Sequence, residues 1–176
     1  MNGGEALVAT LVEHGVEVGF CVPGESYLTV LEALRQARSR IRLVLNRHES
    51  GATFAAEAYA KATAKPGIAF VTRGPGATNA SIGLHTAKQD STPLVLFIGH
   101  VPTAEMGREA FQEIDGLGRM IDQQAAQFGV VPVDAAAGEL GDILEVVVRI
   151  VGDAGGGLQA CAGSGDRADQ IGRAHV

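Results

Sequence analysis

The chain has no tryptophan, only two cysteines and no run of basic residues. Each shortage removes a class of protein. Cys21 and Cys161 are too few for a disulfide framework, and neither stands in a metal-type spacing. A net charge of −6 without a basic cluster argues against a nucleic-acid groove or an anionic membrane surface. The opening stretch MNGGEALVATLVEHG carries two acids and no basic segment, unlike a signal peptide. No apolar run approaches the roughly 20 residues that span a bilayer. The expectation is a cytoplasmic protein with neither nucleic acid nor membrane as partner. Aromatic residues make up 5% of the chain, so its core must be aliphatic.

What is present is apolar residues and glycine, 46% and 24 residues respectively of a 176-residue chain. That suits one α/β domain over residues 1–152 with a tail over 153–176. A domain of this size buries roughly 70% of its unfolded surface and needs no staples. The pattern alternates. Residues 5–14, 27–37, 51–63 and 77–89 read as helices, and 18–22, 41–45, 68–72 and 94–99 as short apolar strands. Beyond Gly99 a long loop with a short helix is expected over 100–115, a fifth strand over 130–133 and a last helix over 138–151. Strand-helix alternation with apolar strands predicts an open parallel sheet with helices on both faces. Ligands of such sheets sit beyond the carboxyl ends of the strands. Three stretches meet there: Val22-Pro23-Gly24-Glu25, Arg47-His48-Glu49 and Thr72 to Asn79.

Glu49 is the residue that needs explaining. An acid in the first turn of a helix is favoured by the macrodipole, by about 0.3–1 kcal/mol. Its place between an apolar strand and the small residues Ser50-Gly51-Ala52 adds an expectation that its carboxylate is screened from water, which favours the protonated form. His48, on the other side of an extended segment, is expected to be structural. In TRGPGATN (72–79) the glycines permit a backbone turn closed to other residues, and the helix that follows offers free N–H groups. The stretch fits neither the dinucleotide fingerprint, since Asn79 replaces a third glycine, nor a P-loop, since Lys-Ser/Thr is missing.

Taken in order, VPGE (22–25), RHESGATFAAEAYAKATAKPG (47–67), TRGPGATNASIGLHTAKQDSTPLVLFIGHVP (72–102) and EAFQEID (109–115) resemble one family. It is the N-terminal, pyrimidine-binding domain of thiamine-diphosphate enzymes of the acetolactate synthase type. The resemblance runs from residue 4 to about 115 and thins out to about 152. It implies a thiamine-diphosphate cofactor and a 2-keto acid substrate, handled by carboligation or decarboxylation. It gives Glu49 a role: hydrogen-bonding the aminopyrimidine and so favouring the imino tautomer that takes the thiazolium C2 proton. Pro23 and Gly24 would then line the pyrimidine pocket, and Gly74, Gly76 and Asn79 would shape the adjoining turn. Gln112, with Phe111, would face the reacting end of the cofactor. In the family, Mg²⁺ and the diphosphate are held by a separate C-terminal domain, whose Gly-Asp-Gly motif is not found here, so no metal ligand is assigned. The family's active site also lies between two subunits, which implies a homodimer or homotetramer and no activity from this stretch alone. FAD, bound by some members, stays open. The alternative is a stand-alone, non-catalytic pyrimidine-domain binding or dimerisation module.

Two departures matter. Arg73 stands where many acetolactate synthases carry a small residue, which leaves the substrate open. The family's closing turn into a last strand should follow Val151, but GDAGGGLQACAG stands there, so the sheet is expected to lack that strand and to expose an edge. The final IGRAHV is what ATCGGAAGAGCACACGTC, the start of a common sequencing adapter, encodes in frame. Residues 153–176 are therefore expected to be frame-shifted or adapter-derived.

Overall fold

The computed structural model describes residues 1–114, 129–133 and 144–149. Four helices and six strands are present among them: α1 (Gly3–Glu13), β1 (Val18–Cys21), α2 (Leu28–Gln36), β2 (Arg42–Leu45), α3 (Glu49–Thr63), β3 (Gly67–Thr72), α4 (Arg73–Gln89), β4 (Leu94–Gly99), β5 (Gly129–Val133) and β6 (Leu144–Arg149). A single 3-10 turn (Glu25–Tyr27) leads into α2, and another (Thr103–Glu105) opens the segment after β4. All six strands form one sheet in the order β2-β1-β3-β4-β6-β5.

The alternation of side chains along the central strands sorts the core into two halves. Ile68 and Phe70 of β3, with Phe97 of β4, pack with Val8, Leu11, Val30, Ala33 and Leu34 from α1 and α2. Their neighbours Ala69 and Val71, with Leu94, Leu96 and Ile98, pack with Ala56 of α3 and Ala77, Ala80, Leu84 and Ala87 of α4. Period-2 strands that are apolar on both sides demand cover on both sides. They receive it, one helix pair to each face. The first half corrects the expectation of an aliphatic core: the few aromatic residues gather at its centre, where Phe70 and Phe97 stack at 4.8 Å between ring centroids. The second is built from small residues, so its helices come close. A Cβ on Gly83 would stand 2.1 Å from Thr53 Oγ1, and Thr53 Oγ1 itself donates to the Ala80 carbonyl at 3.2 Å. Lys61 ties the same two helices at their far ends by bridging the buried Glu57 to the exposed Asp90.

The sheet is parallel across β2, β1, β3 and β4 and antiparallel beyond. The four alternating strands thus form the expected open parallel sheet, and two antiparallel strands extend it. The segment expected as a helix over 138–151 is a correction: its described residues are β6, which runs antiparallel to β4 and carries β5 on its outer side. Three successive valines, Val146 to Val148, are stiff at χ1 and favour the extended chain. The expected strand at 130–133 is β5. The expected missing strand after Val151 and the tail over 153–176 lie outside the described residues.

Three helices start earlier than their sequence patterns predict, α1 at Gly3 rather than Glu5 among them. α3 begins at Glu49 rather than Gly51, and α4 at Arg73 rather than Ala77. The glycine-proline-glycine stretch is thus the first turn of α4, not a turn before it. Proline is compatible with that place, because the N–H it lacks has no intrahelical partner there.

Candidate functional site

The carboxyl ends of β1, β2 and β3 bring three handovers from strand to helix onto one rim. At the second, His48 is the N-cap of α3, and its Nδ1 accepts from the backbone N–H of Ser50 at 3.3 Å and meets Ser50 Oγ at 2.8 Å. His48 is exposed and occupied with its own helix, which agrees with a structural role. Glu49 opens the helix. Asn79, two turns into α4, donates from Nδ2 to Glu49 Oε2 at 3.0 Å. The other oxygen, Oε1, takes no hydrogen bond among the described residues, and a Cβ on Gly76 would stand 3.5 Å from it. The carboxylate is therefore fixed by one oxygen and free at the other, beside a residue with no side chain.

Burial differs from expectation. Glu49 is half-buried rather than sealed, because it stands at the first position of α3, past the end of the strand and not within the sheet. Asn79 differs as well: it lies inside α4 and holds Glu49, so it does not shape a turn.

At the third handover Thr72 precedes α4 without capping it. Its hydroxyl is engaged with Ser26 Oγ at 2.7 Å, and a Cβ on Gly24 would collide with it, 2.4 Å from Thr72 Cβ. Gly24 is thus needed for close approach of the first rim loop to the third, whereas Pro23 is exposed. Gly74 N–H donates to the Gln112 carbonyl at 3.0 Å, and a Cβ on Gly74 would meet that oxygen at 2.8 Å and Ile114 at 2.2 Å. The segment after β4 therefore docks its backbone on the first turn of α4. Glu113 closes that segment by accepting from Gly107 N–H at 2.6 Å and Ala110 N–H at 3.0 Å, and these donors hold its carboxyl below the usual range. Phe111 is exposed, its ring 5.6 Å from the Arg73 guanidinium carbon.

The expected site residues thus fall into two groups on one helix start. Glu49, Gly76 and Asn79 are together; Gly74, Phe111 and Gln112 are together; Gly24 joins them through Thr72. Sequence reading missed the Ser26–Thr72 hydroxyl pair and the ion pair of Arg73 with Glu25, at 2.8 Å. The signal for the second was available, as opposite charges in two loops predicted to share a rim.

Beneath the first handover, Tyr27 is buried and its hydroxyl donates to the Val22 carbonyl. Burial raises its pKa, and the nearby Cys21 and Glu49 charges raise it further. Burial likewise pushes the Cys21 thiol up to about 11.

An open parallel sheet with a fixed carboxylate and glycine-lined helix starts at its rim defines an α/β cofactor-binding domain. The family described as thiamine pyrophosphate enzymes, N-terminal TPP binding domain, matches residues 1–119, and the chain belongs to that family. It is 45% identical over 120 residues to the acetolactate synthase large subunit of Parasynechococcus marenigrum, covering 67% of this chain and 19% of that protein. It is 49% identical over 112 residues to acetolactate synthase 3, chloroplastic, of Brassica napus, covering 64% of this chain and 17% of that one. With the large subunit of Lactococcus lactis it shares 44% identity over 117 residues, 66% of this chain and 20% of that one. The chain spans about a fifth of the length of these relatives. Among the described residues no helix is long and apolar enough to cross a membrane.

Proposed function

We propose that the chain is the aminopyrimidine-binding portion of a cytoplasmic thiamine-diphosphate-dependent carboligase or decarboxylase of 2-keto acids, with Glu49 as its proton-handling residue. The single observation that supports this is the state of the Glu49 carboxylate: Asn79 holds Oε2, and Oε1, beside Gly76, takes no hydrogen bond among the described residues. A heterocyclic nitrogen needs such a group, oriented but unsatisfied, to share a proton with. The residues present fit the pyrimidine half of the cofactor; when bound, its thiazolium half would supply the electron sink for cleaving the bond next to the substrate carbonyl. Asn79 keeps the carboxylate in one orientation, Gly76 leaves its free oxygen uncovered, and Gly24 lets the first rim loop close against Thr72.

The diphosphate and Mg²⁺ are assigned to a further domain of a longer protein, and the second half of the site to another subunit of a homodimer or homotetramer. The 176-residue chain, given thiamine diphosphate, Mg²⁺ and pyruvate, is therefore expected to release no CO₂; robust turnover would refute the assignment of those groups elsewhere. The decisive variant is Glu49→Gln in the longer protein. It is expected to slow exchange of the cofactor C2 proton by about 100-fold or more, the range for loss of a general acid-base group. Exchange at the wild-type rate would remove Glu49 from the mechanism.

A further inference from the structure

The segment that carries Phe111 and Gln112 is held by a side chain that no sequence motif explains. Arg73 is the first residue of α4, and its side chain is only 14% exposed although it is charged. Its Nη1 donates to Glu25 Oε1 at 2.8 Å and to the Phe111 carbonyl at 3.4 Å, while its guanidinium lies over the Phe111 ring. Three stretches distant in sequence meet on this one group: the loop after β1, the start of α4 and the segment after β4.

The arrangement is expensive. Arg73 has φ 34°, a region that bulky residues avoid, and Gln112, at the other side of the contact, has φ 62°. Strain of this kind costs about 1–3 kcal/mol per residue and persists where the surroundings impose it. Among the described residues Arg73 Nε is buried without a partner, a further cost of about 1–3 kcal/mol. A positive charge at a helix N-terminus also opposes the macrodipole. A small residue at position 73 would incur neither the desolvation nor the charge penalty, so fold stability alone does not account for an arginine there.

We infer that Arg73 is a positioning residue: with Glu25 it latches the 107–114 segment onto the start of α4 and so fixes where Phe111 and Gln112 stand toward the substrate. This rests on the functional reading above for the identity of the substrate, a 2-keto acid, but the latch itself is read from contacts within the chain. A lysine would keep the charge pair with Glu25 but lose the planar stack and the second donor.

The test has two readouts. In the 176-residue chain, amide exchange is followed at Gly74, whose N–H bonds to the latched segment, and at Gly107, Ala110 and Glu113, whose N–H groups bond within it. Arg73→Gln is expected to speed them by about tenfold while β3 and β4 keep their protection. Glu25→Gln, at an exposed partner, should do the same, and the double variant should add little, since the two residues act as one unit. In the longer enzyme loaded with cofactor, Arg73→Gln should raise KM for the 2-keto acid more than it lowers kcat, with Arg73→Lys recovering part of the loss. Unchanged loop protection in both single variants overturns the latch. So does collapse of the whole sheet in Arg73→Gln with no loop response in Glu25→Gln, which would make Arg73 plain support. An unaltered KM overturns the positioning role. Should Glu49→Gln leave C2 exchange intact while the loop amides still respond, the functional reading fails and the latch stands.

Discussion

The starts of α3 and α4 solve the same problem in opposite ways. Both follow a strand closely, α4 directly after β3 and α3 three residues after β2, and both must satisfy N–H groups that have no partner inside the helix. α3 is satisfied locally: His48 caps it, and the acid Glu49 in its first turn suits the dipole. α4 has no side-chain cap, no acid in its first turn, and an arginine with positive φ at its first position. Its first turn is completed from elsewhere, by the Gln112 carbonyl on Gly74 and by Glu25 on Arg73. A helix start that closes on itself is a stable platform for one fixed carboxylate. A helix start that needs distant partners gathers those partners. The rim therefore has a fixed side and an assembled side, and Asn79 of α4 is the bond between them.

The largest effect that should separate these modes is alkaline. The handover from β1 is closed locally, by the Tyr27 hydroxyl on the Val22 carbonyl above the buried Cys21. Both groups are neutral when protonated, and both ionise less readily folded than unfolded. Stability from this source is complete below about pH 9, the ordinary thiol value, and is lost as pH rises toward about 11. Cys21 alone accounts for up to about 3 kcal/mol of that loss. Denaturant midpoints measured across that range should fall steeply, and Cys21→Ala should flatten the fall even though its cavity lowers the plateau. A midpoint independent of pH there would contradict the burial of both groups.

Next in size is a pair of glycines one residue apart on the assembled side. Gly74→Ala forces a Cβ to 2.8 Å from the Gln112 carbonyl and 2.2 Å from Ile114. The isoleucine side chain can move, but the backbone oxygen that bonds to residue 74 cannot. A cost of about 1–3 kcal/mol is expected, as for other overpacked sites. Gly76→Ala meets only ordinary contacts, at 3.4 and 3.5 Å, so stability should hardly change. Its methyl would lie against the free oxygen of Glu49, and the loss should appear in cofactor affinity instead. Equal melting temperatures for the two variants would show that the docked segment contributes nothing to the start of α4.

The same division explains what could be read in advance. Strands and helices up to Gly99 were legible because each carries its own period, and β3 and β4 alternate cleanly between the two cores. Glu49, Gly76 and Asn79 were legible as residues of one rim, since the alternation alone places their loops together. What escaped was whatever depends on partners far along the chain. α4 starts four residues before its apolar pattern does, because contacts with residues 25 and 112 hold Arg73 and Gly74 in the first turn. β6 was misread because the valines at its centre suit a buried helix face as well as a strand; only pairing with β4 decides between them. The half-exposure of Glu49 was misjudged for a similar reason. Burial at a rim is set by what stands above it, not by the apolar strand below.

The smallest effect concerns the fixed side. His48 is a modest cap: its bond to Ser50 N–H is long, at 3.3 Å, and its ring is in water. His48→Ala should cost about 0.5 kcal/mol, the low end for removal of a cap. His48→Asn places a preferred capping group at the same position and should recover that loss or exceed it by a few tenths. Neither change touches Asn79 or Gly76, so the orientation of Glu49 should be preserved, and amide exchange in the 107–114 segment should not respond. If His48→Ala instead loosened that segment as Arg73→Gln is expected to, the two helix starts would be coupled through Glu49 and Asn79. The fixed side would then itself depend on distant contacts, and the contrast between the two starts would be one of degree.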